Sequence, residues 1–227
     1  MGIGDKFHRD TKYHPEQFGY SLSFKVKKSE GKRFKLTKPK DLVVDLTRII
    51  DERRSRRSFG KKPISFEDLS TVLWCSLGIS RYHYRVFPSA GALYATEGYV
   101  VSRDVEKLPQ GLYHYIPSEH ALDLISEEDI LHRLSQASLF QEWISDAQSA
   151  IVLTAVVERM KKKYGERGYR YIYMEAGHIG QNIYLVCEAL GLGTCAIGAF
   201  FDDSVANLIG VSTSEEIPVY IYPLGTR

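Results

Sequence analysis

Residues 111–125 read Gly111-Leu112-Tyr113-His114-Tyr115-Ile116-Pro117-Ser118-Glu119-His120-Ala121-Leu122-Asp123-Leu124-Ile125. Two apolar and aromatic runs flank the polar, turn-forming Pro117-Ser118-Glu119-His120, the pattern of a β-hairpin. Upstream, Glu97 to Ser102 reads as a strand through Tyr99-Val100-Val101. Downstream, a helix is predicted from about Glu127 to Leu139. Ser149 to Val157 is then a continuous β-branched run, the mark of a strand buried on both faces. The longest helix is predicted over Tyr171 to Leu190, where Ile172, Ala176, Ile179, Ile183, Val186 and Leu190 keep one face apolar and Gly191 caps the end. Thr194 to Ile197 and Val219 to Tyr222 read as the last two strands. Ahead of the hairpin, Asp41 to Asp51 carries a near-helical stripe. Ser65-Phe66-Glu67-Asp68 has the form of a capping box opening a second helix that ends at Gly78. Hairpins with few regular strand–helix–strand units predict an α+β fold rather than a doubly wound sheet.

The chain has 227 residues, 44% hydrophobic and 26% charged, with a formal net charge of +2. That suits a compact domain and argues against a polyelectrolyte built for nucleic acid. Cys75, Cys187 and Cys195 are scattered, without a CxxC pair, so neither a disulfide framework nor a metal site is expected. The polar opening Met1-Gly2-Ile3-Gly4-Asp5-Lys6 does not read as a signal peptide, and no apolar run approaches the roughly 20 residues of a membrane span. A cytoplasmic protein with no membrane partner is expected. Residues 1–40 are basic and lack periodicity, with Lys25, Lys27, Lys28, Lys32, Arg33, Lys35, Lys38 and Lys40 close together. They read as a solvated N-terminal extension, with an anion-binding arm as the alternative, ahead of a domain at 41–227.

Four features bear on chemistry. Arg53-Arg54-Ser55-Arg56-Arg57 sets four guanidiniums within five residues. They repel one another, and a phosphate would relieve that through paired charge-assisted hydrogen bonds. An exposed basic loop or an RNA contact is the alternative. Pro88-Ser89-Ala90-Gly91-Ala92-Leu93 is a small-residue turn that would let a flat ligand approach the backbone, or an ordinary turn before a strand. Thr194-Cys195-Ala196-Ile197-Gly198-Ala199-Phe200 is a strand ending in small residues, whose backbone N–H groups could face a ligand. Arg227 follows Pro223-Leu224-Gly225 and matters only if the preceding strand carries it to an anion.

RRSRRSF, PSAGALY, YMEAGHIGQN, LGLGTCAIGAF and the closing YPLG, in this order and at these intervals, resemble the nitroreductase superfamily. The variant is similar to the SagB-type dehydrogenases, whose best-known members oxidise thiazolines and oxazolines in ribosomally made peptides. FHRDTKY near the start is similar to that group's opening. The resemblance implies a nitroreductase-like fold, with a central, mainly antiparallel sheet flanked by helices. It implies a homodimer with flavin mononucleotide (FMN) at the subunit interface. Arg53 would bind the FMN phosphate; Arg54 and Ser55 would contact the phosphate and ribityl chain. Arg57 would lie by the flavin pyrimidine, where a cation stabilises the reduced ring's negative charge. Pro88, Ser89, Ala90, Gly91 and Leu93 would pack on the flavin from the other subunit. Ile197 and Gly198 would flank the central ring and N5, and Arg227 would reach the phosphate. The long helix, with Gly177 and Gly180, is the interface candidate, with a simple core helix as the alternative. Lys163-Tyr164 matches a pair that serves proton transfer in azoline-oxidising members, since aromatising an azoline releases a hydride to flavin N5 and a proton to a base; a solvated basic stretch over Lys161-Lys162-Lys163 is the alternative. His178 is read as a packing residue. Two departures stand out: Ala92 occupies a position where many nitroreductases have Asn, and Ala95 one where many of the group have Pro.

The leading expectation is therefore an FMN-dependent dehydrogenase of a small or peptide-borne ring. The alternatives are an NAD(P)H-dependent nitro- or quinone reductase, and a non-catalytic flavin-binding protein. A nucleic-acid module using the basic arm fits poorly with the balanced charge.

Overall fold

A computed structural model describes residues 2–12 and 31–227. Seven strands form one sheet among the described residues: β1 (Arg33–Lys35), β2 (Thr96–Ser102), β3 (Gly111–Ile116), β4 (Ala121–Ser126), β5 (Ser149–Val156), β6 (Leu192–Thr194) and β7 (Glu216–Thr226). Their order is β1-β4-β3-β2-β5-β7-β6, with every neighbouring pair antiparallel. The helices are α1 (Ile3–Asp10), α2 (Leu46–Glu52), α3 (Phe66–Leu77), α4 (Leu131–Ala137), α5 (Val157–Tyr164), α6 (Gly168–Ala189) and α7 (Asp202–Ile209). The fold is α+β, as expected.

The expected hairpin is β3–β4, with Ile116 opposite Ala121 and His114 opposite Asp123. The continuous apolar run is β5, and its alternate residues serve two cores. Ile151 and Leu153 point to one face with Val100, Tyr113 and Tyr222, where α3 adds Leu69 and Leu73 and α6 adds Ile179 and Ile183. Ala150 and Val152 point to the other with Tyr99, Val101 and Ile221, covered by Leu131 and Leu134 of α4 and Val205 and Ile209 of α7. A strand covered on both faces has no polar side to show, which is why β5 reads as an unbroken run. α3 starts where its cap is: Ser65 Oγ accepts the Asp68 N–H at 3.0 Å.

Several bounds differ from the periodicity. The stripe over 41–51 becomes helix only from Leu46, because the Asp45 carboxylate accepts the Arg48 N–H (3.1 Å) and fixes the start there. Of its apolar residues Ile49 alone is buried, while Val43, Leu46 and Ile50 are exposed. The helix expected over 127–139 is the shorter α4; Asp129 Oδ1 accepts the Leu131 N–H (2.9 Å), and Leu139 and Phe140 break it with φ of 54° and 59°. The basic segment supplies the edge strand β1, whose Arg33 pairs with Asp123 (2.6 Å) and Glu119 (2.5 Å). Residues 13–30 of that segment, with Lys25, Lys27 and Lys28, lie outside the described residues. Among the described residues no helix is long and apolar enough to cross a membrane.

Candidate active site

Residues 53–60, between α2 and α3, run across the ends of β6 and β7. The Arg56 N–H donates to Thr194 O (2.8 Å) and the Gly60 N–H to Thr226 O (2.7 Å). Gln148 closes the stitch: its Nε2 donates to Gly60 O (2.8 Å) and its Oε1 accepts the Thr226 N–H (3.0 Å). Gly225 is required here, since a Cβ would lie 2.5 Å from the Phe59 ring and 2.7 Å from Gln148 Oε1. Gly225→Val is expected to cost about 1–3 kcal/mol in urea unfolding, the usual penalty of overpacking. An unchanged midpoint would remove Phe59 from the stitch.

This arrangement brings Arg227 beside the first arginine cluster. Arg54, Ser55, Arg56, Arg57, Phe59 and Arg227 line a cleft of about 540 Å³. Two guanidiniums share one carboxylate at its back. Arg227 Nη2 lies 2.6 Å from Glu188 Oε2, Arg56 Nη2 lies 3.3 Å from Glu188 Oε1, and Arg227 Nε donates to Leu192 O (3.1 Å). Among the described residues no carboxylate pairs with Arg53, Arg54 or Arg57. Arg53 instead lies over the Tyr184 ring at 5.0 Å and Arg57 over the Trp143 ring at 5.9 Å. Tyr184 Oη accepts the Ala196 N–H (2.7 Å) and lies 2.8 Å from Ser55 Oγ, so one phenol ties the serine to the segment leading into Ile197. The Ile197 N–H is used within the sheet, donating to Ile221 O (2.9 Å), which leaves exposed Gly198 as the first residue past that bridge.

The second cleft, about 280 Å³, is lined by Pro88, Ser89 and Ala90 with Tyr171, Met174 and His178 of α6. Ser89 shapes its turn, with Oγ accepting the Tyr94 N–H (2.9 Å) and its carbonyl the Ala92 N–H (3.1 Å). Gly91 has φ of 60°, and a Cβ there would sit 2.6 Å from Tyr164 Oη and 2.8 Å from Lys163 Nζ. The turn and the Lys163-Tyr164 pair, some seventy residues apart in sequence, thus meet. Leu93 turns the other way and packs in the core with Ala155, Met160 and Ile172. His178 faces outward, with Nδ1 3.3 Å from Pro88 O, rather than into the helix packing.

Helix α6 carries both clefts, Met174 at one and Glu188 at the other. Fourteen residues at 1.5 Å each separate them by about 21 Å along its axis. Beside Tyr173 and Met174, α6 exposes Gly177, His178 and Gln181 between the two clefts. A Cβ on Gly177 would meet nothing within 4 Å, whereas one on Gly180 would overlap the Tyr222 hydroxyl, so Gly180 serves the chain's own core. Tyr184, Glu188 and Trp143 were not singled out from sequence. The first two stand one turn apart on α6, and that spacing was the available signal.

Known proteins carry the same architecture. The profile of the Nitroreductase family matches residues 50–226. MJ1384 of Methanocaldococcus jannaschii, which bears a nitroreductase name, is 36% identical over 185 residues, 81% of this chain and 92% of that protein. The microcin B17-processing protein McbC of Escherichia coli is 29% identical over 148 residues, 62% of this chain and 54% of McbC. The crystal structure of a nitroreductase-named protein from Anabaena variabilis superposes with a TM-score of 0.82 at 28% identity, covering 97% of this chain and 46% of that one. With strands β2 to β7 and the arginine segment inside the matched span, the chain belongs to the nitroreductase family of oxidoreductases.

Proposed function

We propose that the chain is an FMN-dependent dehydrogenase that oxidises an azoline-like ring, free or carried on a peptide, at a site completed by a second copy of itself. The observation that carries this reading is the meeting of the Gly91 turn with Lys163 and Tyr164. It sets a base beside a surface open to a flat ligand. The similarity to McbC, a protein named for processing a peptide antibiotic, favours a peptide-borne ring.

The donor set fits a phosphomonoester. Glu188 compensates Arg56 and Arg227, so Arg53 and Arg54 with Ser55 remain for the phosphate. Arg57, lying on Trp143, would orient the flavin pyrimidine, and the backbone at Ile197 and Gly198 would border the central ring. FMN held there would supply a two-electron acceptor. The chain's own contribution to the reaction is positional and acid–base. Lys163 Nζ or Tyr164 Oη would take the proton from the ring carbon. The Pro88–Gly91 backbone would exclude water from one face of the site.

The 21 Å between the clefts supports assembly from two chains. The exposed α6 face around Gly177 and the exposed Val43, Leu46 and Ile50 give such a dimer apolar surface to bury. A second reading, NAD(P)H-dependent nitro- or quinone reduction, draws on the identity with MJ1384.

The purified protein is expected to be a yellow dimer releasing FMN on denaturation. In anaerobic mixing, a thiazoline-bearing peptide should bleach the oxidised flavin band and gain a thiazole. Rapid bleaching by NADH or NADPH, with no response to thiazoline, would establish the reductase instead. A colourless protein that takes up no FMN would end both readings.

A further inference from the structure

The turn that presents Gly91 is costly to hold. Gly91, Ala92 and Tyr94 have φ of 60°, 54° and 49°, and two of the three carry side chains. A Cβ makes the left-handed conformation unfavourable, because it crowds the following carbonyl oxygen. Strain of this kind persists only where the surroundings over-determine the backbone. Ser89 fixes the turn from within. From outside, the Arg159 Nη1–H donates to Tyr94 O at 3.0 Å.

Arg159 is itself held. It is buried, and its Nη2 lies 2.5 Å from Glu97 Oε1; the second Glu97 oxygen lies 3.0 Å from His114 Nε2. Burial by itself would raise the Glu97 carboxyl, but the His114 bond and the Arg159 charge outweigh it and hold the group well below the usual carboxylate range. Glu97 therefore stays ionised inside the protein and anchors the guanidinium. A buried ion pair is a weak source of net stability, because desolvating both charges offsets most of their attraction. What this pair supplies is direction: one arm of a planar fork on Glu97, the other on the Tyr94 carbonyl. Arg159 also precedes Lys163 by four residues on α5, on the same side of the helix. One short helix thus carries both the anchor of the turn and the side chains that face it.

We infer that the Glu97–Arg159 pair, braced by His114, fixes the left-handed Gly91–Tyr94 turn against Lys163 and Tyr164, and that Glu97 and Arg159 are positioning residues for the proton transfer assigned to that pair. The functional half rests on the reading of Lys163 and Tyr164 given above; the mechanical half does not.

The test is hydrogen exchange on the flavin-free protein, followed by a double-mutant cycle on the flavin-loaded one. Arg159→Lys keeps a cation beside Glu97 but has no second arm for Tyr94 O. Exchange in the 88–96 segment should quicken about tenfold or more, since a charge-assisted hydrogen bond contributes roughly 1.5–3 kcal/mol. Exchange in β5 and α6 should hold. In the loaded enzyme Arg159→Lys should lower kcat more than KM rises, and should do nothing further once Lys163→Ala is present. Unchanged exchange in 88–96, or losses that simply multiply in the double variant, would overturn the inference. Should Arg159→Lys fail to fold, Glu97→Gln, which frees the guanidinium while keeping the side chain's size, carries the same expectations. If the wild type binds no flavin, the functional reading fails and exchange alone decides the mechanical half.

Discussion

Lys163→Ala will leave the chain folded and yellow while cutting turnover by about 10²–10⁴-fold, the usual contribution of a positioned general base. Both halves of that expectation come from geometry. Lys163 lies at the Gly91 turn and does not line the arginine cleft of its own chain, so the proposed phosphate contacts should hold. Its Nζ lies within 2.8 Å of the space a Cβ on Gly91 would fill, so its removal opens the site at the turn itself. Tyr164→Phe separates the roles of the pair. If the Tyr164 phenolate takes the proton and Lys163 supplies only the neighbouring charge that favours it, the two variants fall alike. If the amine takes it, Tyr164→Phe keeps most of the activity. Flavin content by absorbance and single-turnover reduction by the substrate measure both. A Lys163→Ala enzyme with wild-type turnover would remove Lys163 from the chemistry.

The second large effect is on cofactor retention. Arg53→Ala is expected to weaken FMN binding by roughly 10- to 150-fold, the equivalent of about 1.5–3 kcal/mol for one charge-assisted contact. Arg53 is the informative choice because its guanidinium rests on Tyr184 and no described carboxylate pairs with it, so the substitution leaves no buried charge behind. Arg56 and Arg227 are poorer reporters: removing either unbalances Glu188, and a change in affinity would mix with a change in stability. Fluorescence titration of flavin-free protein reads the affinity directly. An unaltered dissociation constant would move the phosphate away from Arg53.

Much of the framework was legible because its segments repeat at the period of their structure. β5 reads as a strand because both faces are covered, and α3 declares itself through Ser65 and Gly78. α5 did not, because Lys161-Lys162-Lys163 masks a helix whose buried face is little more than Val157, Arg159 and Met160. The start of α2 is not legible, since a capping carboxylate, which periodicity does not register, places it five residues into the stripe. At the site, local motifs named Arg53, Gly91 and Lys163. They could not show that Gly91 faces Lys163, or that a carboxylate from the long helix would occupy Arg227. Those are contacts between distant segments, and only the register of the sheet and the packing of α5 and α6 decide them. Trp143 lies in a 3-10 turn with no periodic signal at all.

The sheet order has a bearing on how the arginine cleft is built. β7 slots between β5 and β6, and its far end supplies the carbonyl that receives Gly60. Until residues 216–226 are in place, β6 has no neighbour in the sheet and the Gly60 N–H has no carbonyl to receive it. The cleft lined by Arg54 to Phe59 and Arg227 therefore takes its shape only once that strand has docked.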